Sequence, residues 1–131
     1  MPHAVLERVV PATFPEVGRL RRATNAFLQD GYTPTFRDKL TLVVSELCTN
    51  AIEALHDEHA EFTLRLCNHI DRVQIEVEDD GPGFSAALDR RGADEADARG
   101  RGLQVVLELV DEFSVNRAAG RTCVTCVLYR L

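Results

Sequence analysis

The hydrophobic and polar positions of this chain change their period several times, and each change predicts a different secondary-structure element. Residues 16–30 and a second segment that begins at Thr33 or Thr35 place apolar side chains at helical spacing. The predicted buried faces are Val17, Leu20, Ala23, Thr24, Phe27 and Leu28 in the first helix, and Leu40, Val43, Val44, Leu47, Ala51, Ala54 and Leu55 in the second. A third, shorter helix is expected from about Gly102 to Val110.

Five other segments have the composition and alternation of β-strands, namely residues 4–10, 61–68, 72–79, 112–118 and 121–131. In the third of them Val73, Ile75 and Val77 alternate with polar residues, so one face of the sheet should meet water. The predicted order is therefore β-α-α-β-β-α-β-β. The economical packing for this order is an α/β two-layer sandwich, in which helices cover one face of a mixed, mainly antiparallel sheet.

Composition and charge restrict the class of protein. A chain of 131 residues with 45 % hydrophobic and 27 % charged residues is expected to form a single soluble domain over residues 1–131. No apolar run approaches the roughly 20 residues of a membrane-spanning helix, and the N-terminal residues do not resemble a signal peptide. We therefore expect a cytoplasmic protein with no membrane partner. The net charge of −6 argues against direct binding of nucleic acid.

The four cysteines are interpreted as structural residues. Cys123 and Cys126 form a C-x-x-C pair inside a predicted strand, where residues three positions apart point to opposite faces. Cys48 and Cys67 lie among apolar residues and are expected to fill the core. The sequence thus favours structural thiols over a disulfide or a zinc site.

The second helix carries a stripe of polar residues beside its apolar face. Glu46, Asn50, Glu53 and Asp57 follow one another at spacings of three or four residues. A solvated acidic face would explain the carboxylates, but an amide in the middle of a helix gains nothing on an open surface. Asn50 offers the kind of oxygen ligand that Mg²⁺ prefers. Glu46, one turn earlier, could act as a general base near a terminal phosphate.

Two glycine-containing segments lie where a nucleotide could approach the backbone. Asp79 ends a predicted strand and can accept a hydrogen bond from an exocyclic amino group such as that of adenine, while Gly81 and Gly83 leave room for a flat ring. The segment from Arg99 to Gly102 precedes the third helix, whose N-terminal N–H groups favour an anion. A hairpin for the first segment and a flexible loop for the second are the alternatives.

Three short motifs occur in the order found in the GHKL ATP-binding superfamily, which includes gyrase, histidine kinases and MutL. They are E-x-x-x-N at Glu46 and Asn50, D-x-G-x-G at Asp79, Gly81 and Gly83, and G-x-G-L at Gly100, Gly102 and Leu103. The stretches VVSELCTNAI, DDGPGF and GRGLQVVLELVD resemble the anti-sigma factor serine/threonine protein kinases, and the resemblance covers roughly residues 5–130. It implies a Bergerat-type ATP-binding fold.

The resemblance also implies roles for these residues. Asp79, assisted by Thr122, would bind the adenine amino group of ATP, and Asn50 would hold Mg²⁺ against the phosphates. Glu46 would be the catalytic base that activates a serine or threonine hydroxyl. Residues 84–99 would form a lid. The phosphates would be surrounded by Gly100, Arg101, Gly102 and Leu103.

The partners implied by the resemblance are proteins. The kinase would phosphorylate an anti-anti-sigma protein with a STAS domain, and a homodimer of the kinase would sequester a sigma factor. An arginine of the first helix would contact the sigma factor, with Arg21 as the closest positional match and Arg19 or Arg22 as the alternatives.

Two other functions stay open from the sequence alone. One is a regulatory protein of the same superfamily that binds ATP as a conformational ligand or switches a different partner. The other is a stand-alone histidine-kinase-like catalytic domain, which the N-A-I-E-A run after Glu46 resembles. No histidine on a helical hairpin precedes Glu46, which counts against this last reading.

Overall fold

The computed structural model describes residues 3–28, 31–80 and 98–130, with residues 98–101 described by their backbone only. Within these ranges the chain forms β1 (Ala4–Pro11), α1 (Pro15–Leu28), α2 (Pro34–Leu55), β2 (Glu61–Asn68), β3 (Arg72–Asp79), α3 (Ala98–Leu109), β4 (Glu112–Ala118) and β5 (Arg121–Tyr129). The predicted order of elements is confirmed. None of these helices is long and apolar enough to cross a membrane.

The strands form one sheet in the order β1-β2-β3-β5-β4, and every described pairing is antiparallel. The expected two-layer α/β sandwich is therefore confirmed, with a sheet that is antiparallel throughout its described part. β3 and β5 are neighbours although α3 and β4 separate them in the chain. This arrangement brings the end of β3 beside the start of β5.

The helices form the second layer, in which α2 contacts both α1 and α3. α2 takes this central place because much of its surface is apolar: Val43, Val44, Leu47 and Cys48 are each at most 1 % exposed. They face the inward-pointing residues of the sheet, each at most 2 % exposed: Leu64, Leu66, Val73, Ile75, Val124, Cys126 and Leu128. Full burial of one such Leu or Ile contributes roughly 2 kcal/mol to folding, so this interface holds the two layers together.

The opposite face of the sheet, called the outer face below, carries paired charges. Arg65 donates hydrogen bonds to Glu7 Oε2 at 2.8 Å and to Glu76 Oε1 at 2.6 Å. These two bonds raise the pKa of its guanidinium above the ordinary value. Arg121 pairs with Glu78 at 2.9 Å on the same face. The wet face predicted from the alternation of β3 is thus confirmed.

Helix α2 starts at the capping residue that the sequence left undecided. The Thr33 side-chain oxygen accepts a hydrogen bond from the Phe36 N–H at 3.1 Å, and Pro34 occupies the first helical position. The cap is therefore Thr33 and not Thr35.

The predicted turn between the last two strands is a two-residue hairpin turn. Ala118 pairs with Arg121, and Ala119 and Gly120 between them have φ values of 54° and 77°. Positive φ at both central positions is what the tight twisted hairpin requires.

Helix α3 begins at Ala98, whereas the sequence predicts a start at about Gly102. Each glycine disfavours a helix by about 1 kcal/mol relative to alanine, so local propensity places Gly100 and Gly102 outside it. Tertiary packing overrides this preference, because Leu103 and Val106 are 6 % and 0 % exposed and hold the helix against the core.

The cysteines agree with the prediction at three positions and disagree at one. Cys48 and Cys126 are buried, and Cys123 is half-buried on the outer face, so the C-x-x-C thiols point apart as predicted. The prediction that Cys67 fills the core is wrong, because it pairs with Gln74 on the outer face. Its apolar neighbours in β2 point inward, and strand alternation then turns Cys67 outward.

Candidate nucleotide-binding site

Two buried polar side chains lie side by side where β3 ends and β5 begins. Asp79 and Thr122 are direct partners in the β3–β5 register, and they are 2 % and 0 % exposed. Thr122 Oγ1 makes no hydrogen bond to any of the described residues. Leaving a buried hydroxyl unsatisfied costs about 1–3 kcal/mol, so this end of the sheet is suited to a ligand that supplies the missing hydrogen bond.

Helix α2 packs against β3 from the helical layer and contributes the E-x-x-x-N pair. Asn50 is 2 % exposed on an otherwise apolar side of the helix, and Glu46 is half-buried one turn earlier. Burying an amide is unfavourable unless its polar atoms are used, so Asn50 is a candidate for ligand binding. Both residues lie on α2, as predicted.

The polar stripe of α2 is shorter than predicted. The helix ends at Leu55, and the next residue, His56, has a left-handed φ of 52°. Asp57 follows this cap and is exposed, so it does not continue the helical stripe. Glu53 is half-buried on the last full turn. Glu46, Asn50 and Glu53 therefore lie on the helix, and Asp57 does not.

The start of α3 contacts α2 at the glutamate of the first motif. A Cβ placed on Gly102 would lie 2.4 Å from Glu46 Oε2 and 3.4 Å from its Cδ. The carboxylate therefore rests directly against the backbone of α3. The fold thus brings the E-x-x-x-N and G-x-G-L motifs together, although about 50 residues separate them in the sequence.

The G-x-G-L segment lies inside α3 and not in front of it. Gly100, Arg101 and Gly102 belong to the first turns of the helix, which begins at Ala98. The first four N–H groups of a helix have no partner within it, and the helix dipole makes this end positive. The end of α3 that favours an anion therefore lies at Ala98, two to four residues before the predicted position. Gly81, Gly83, residues 84–97 of the predicted lid (84–99) and the side chain of Arg101 lie outside the described residues. The last two residues of the predicted lid, 98 and 99, belong to the first turn of α3.

The arginines of α1 divide into two groups. Arg19 forms an ion pair with Glu16, one turn before it on the same helix. Arg21 and Arg22 instead line a groove of about 420 Å³ between α1 and α2. Arg37 of α2 lies in the same groove and donates a hydrogen bond to Asn25 Oδ1 at 2.6 Å. Sequence reasoning missed Arg37, because only the pairing of the two helices brings it to Arg21 and Arg22.

The cysteines and histidines of the described residues form no metal centre, since no three His, Cys, Asp or Glu side chains cluster there. Burial raises the pKa of both Cys48 and Cys126 to about 12, so these thiols are neutral at ordinary pH. Their surroundings are those of packing residues.

A family model for the histidine kinase-like ATPase domain matches residues 10–128. The chain belongs to this family. The match includes Glu46, Asn50, Asp79 and Thr122, and so contains both strands and both helices that form the candidate site. ATP use by a histidine kinase-like ATPase domain agrees with the predicted ligand.

The curated relatives share one activity in their names. Serine-protein kinase RsbW of Bacillus subtilis is 29 % identical over 129 residues, which cover 89 % of this chain and 81 % of the relative. The protein of the same name from Bacillus velezensis is 30 % identical with the same coverage. That from Halalkalibacterium halodurans is 26 % identical over 125 residues, or 88 % of this chain and 77 % of the relative. The predicted enzyme class, a serine/threonine protein kinase, and the resemblance to its family are confirmed.

A solved structure supports the fold independently. The RsbU and RsbW domains of Rv1364c from Mycobacterium tuberculosis match with a TM-score of 0.68 at 20 % identity. The match covers 99 % of this chain and 34 % of that longer protein. At this identity the likeness concerns the fold alone.

Proposed function

We propose that this protein is an anti-sigma factor that uses ATP to phosphorylate a serine or threonine of a STAS-domain anti-anti-sigma protein. It acts as a single domain over residues 1–131, forms a homodimer and sequesters a sigma factor while its STAS partner is phosphorylated. The observation that carries the proposal is the buried pair Asp79 and Thr122 in the sheet, whose strand β3 packs against α2, the helix that carries Asn50 and Glu46. Relatives named serine-protein kinase RsbW support the same activity.

The adenine end of the nucleotide is assigned to the sheet. A carboxylate on Asp79 accepts a hydrogen bond from the exocyclic amino group, and the Thr122 hydroxyl, which has no partner among the described residues, satisfies a second polar atom of the ring. A guanine ring presents a carbonyl at the corresponding position, which Asp79 would repel. ATP is therefore preferred over GTP.

The phosphate end is assigned to the helices. The side-chain oxygen of Asn50 suits Mg²⁺, which takes hard oxygen ligands and commonly combines one or two protein ligands with substrate phosphates. When bound, the ion would neutralise phosphate charge. The free N–H groups at the start of α3 favour the same anion, and Leu103 and Val106 fix that helix in the core.

Glu46 is the group that handles the proton. Its carboxylate accepts the proton of the serine hydroxyl as the serine oxygen bonds to the γ-phosphorus. The bond from that phosphorus to the bridging oxygen breaks, and ADP leaves with the electron pair. A general base of this kind contributes about 10²–10⁴-fold to the rate.

The sigma factor is assigned to the groove between α1 and α2. Arg21, Arg22 and Arg37 line it and outnumber Asp38, the one carboxylate among its described lining residues, so an acidic segment of the sigma factor would fit there. Arg19 contributes less, because its guanidinium already pairs with Glu16.

The function is tested by measuring phosphate transfer from γ-labelled ATP, with Mg²⁺, to a panel of STAS domains. We expect labelled serine or threonine with the wild-type protein and at least 100-fold slower transfer with Glu46→Ala, while ATP affinity measured by calorimetry changes little. Glu108→Ala, an exposed glutamate of α3, is the matched control and should transfer phosphate at the wild-type rate. Asn50→Ala should abolish the Mg²⁺-dependent part of ATP binding.

Tight ATP binding without transfer to any STAS domain would overturn the kinase proposal and favour the regulator that uses ATP as a conformational ligand. If Asn50→Ala bound ATP with unchanged affinity in the presence of Mg²⁺, Asn50 would not be the residue that holds the ion.

A further inference from the structure

Gly102 has no conformational reason to be a glycine. It lies within α3, and its φ is outside the left-handed region that glycine alone adopts easily. A glycine in a helix destabilises it relative to alanine. Some other feature of the molecule must therefore benefit from the missing side chain.

The space beside Gly102 is occupied by Glu46. Among the described residues, a Cβ at this position would meet the Glu46 carboxylate alone, at 2.4 Å from Oε2 and 3.4 Å from Cδ. The first distance is shorter than any ordinary contact, so an alanine methyl group and this position of the carboxylate exclude each other. Gly18 of α1 provides a comparison, because a Cβ there would meet Arg22 Nη1 at a comfortable 3.6 Å.

We propose that Gly102 is a positioning residue, which gives the Glu46 carboxylate a fixed seat against the first turns of α3. The proposal rests on the proposed function of Glu46 as the base. Both helices that form the seat are anchored in the core, α2 through Leu47 and α3 through Val106. A glutamate has three rotatable side-chain bonds, and contact with a rigid backbone reduces the number of positions that its carboxylate can take.

The seat also has a favourable electrostatic character. The N-terminal turns of a helix carry partial positive charge, and a carboxylate is stabilised beside them. Gly102 would thereby have two roles. Its backbone belongs to the proposed phosphate-binding turns, and the absence of a side chain leaves space for the Glu46 carboxylate. The base and the phosphates are in this way held by the same part of α3.

The contact can be tested without ATP or a partner. Gly102→Ala is measured by urea unfolding in the wild-type background and in the Glu46→Ala background. We expect the substitution to raise the unfolding midpoint more in the second background, because the carboxylate that opposes the methyl group is absent there. Gly18→Ala is the matched control and should shift the midpoint equally in both backgrounds. If Gly102→Ala also shifted the midpoint equally in both backgrounds, the proposed contact between Gly102 and Glu46 would be wrong.

The positioning role is tested by single-turnover transfer at saturating ATP. Gly102→Ala should slow transfer at least tenfold, while its dissociation constant for ATP rises less than threefold. Adding Glu46→Asp should recover part of the lost rate, because the side chain is one methylene shorter and leaves room for the methyl group. In the wild-type background Glu46→Asp should slow transfer.

Two results would overturn this role. One is a Gly102→Ala protein that binds ATP weakly but transfers phosphate at the wild-type rate once saturated, which would leave Gly102 as a phosphate-binding glycine only. The other is the absence of any rescue by Glu46→Asp. Failure of the proposed function gives a different result: the wild-type protein phosphorylates no STAS domain, while the unfolding measurements still decide the contact.

Discussion

Two consecutive aspartates at the end of β3 have opposite surroundings. Asp79 is 2 % exposed and lies beside Thr122, whereas Asp80 is exposed. Strand alternation alone separates them, because Val73, Ile75 and Val77 define the inward face and Asp79 continues that series. The burial of Asp79 and the exposure of Asp80 are predictable from the sequence for this reason. The burial of Thr122 is not, since it depends on the pairing of β3 with β5.

The substitution Asp79→Asn tests whether this carboxylate recognises the adenine ring. We expect ATP affinity to fall by a few kcal/mol at most, because one hydrogen bond to a charged group is replaced by a mismatched amide. The preference for ATP over GTP should shrink in parallel. Calorimetric titration with both nucleotides measures each effect.

Asp80→Asn is the matched control for this substitution and should bind both nucleotides as the wild-type protein does. A wild-type preference for ATP that survives in Asp79→Asn would show that another group reads the base.

At the scale of elements, the sequence predicts helices and strands well where periodicity is long and poorly where glycine intervenes. The bounds predicted for β2 and β3 are those observed, because apolar and polar residues alternate through most of each strand. The start of α3 is missed, since Gly100 and Gly102 lower helix propensity and only the contacts of Leu103, Val106 and Glu46 restore the helix. Those contacts join segments far apart in the chain and have no local signal.

The cap of α2 gives a prediction for stability. Thr33→Ala removes the acceptor for the Phe36 N–H and should lower the free energy of unfolding by about 1 kcal/mol. Thr35→Ala lies two positions further along the helix, on an exposed side chain, and should change the free energy of unfolding little. Urea unfolding of both variants measures the difference. Equal free energies of unfolding would show that Thr33 does not cap the helix.

At the scale of the whole molecule, the sheet separates a dry face from a wet one. Cys48 and Cys126 lie in the dry layer, and Cys67 and Cys123 lie on the outer face near the charges of Arg65 and Glu76. The sequence predicted this division for three of the thiols. It misplaced Cys67, because apolar neighbours along a strand do not share its face.

Thiol labelling tests this division. With iodoacetamide at pH 8 the folded protein should be alkylated at Cys67 and Cys123 first, because burial raises the pKa of Cys48 and Cys126 to about 12 and leaves only about 10⁻⁴ of each as thiolate. In urea all four should react at similar rates. Mass spectrometry of the peptides identifies the sites, and early labelling of Cys126 would contradict the assignment of faces.

The pairing of β3 with β5 has a consequence for when the protein becomes competent during synthesis. Glu78 and Arg121, which form an ion pair between these strands, are 43 positions apart in the chain. Closing a loop of that length costs about 3 kcal/mol of chain entropy, and the pairing cannot begin until β5 has left the ribosome. A stalled chain that ends before Thr122 contains Glu46, Asn50 and Asp79 but lacks half of the proposed adenine site. Nucleotide binding is therefore a late event in the life of each new chain.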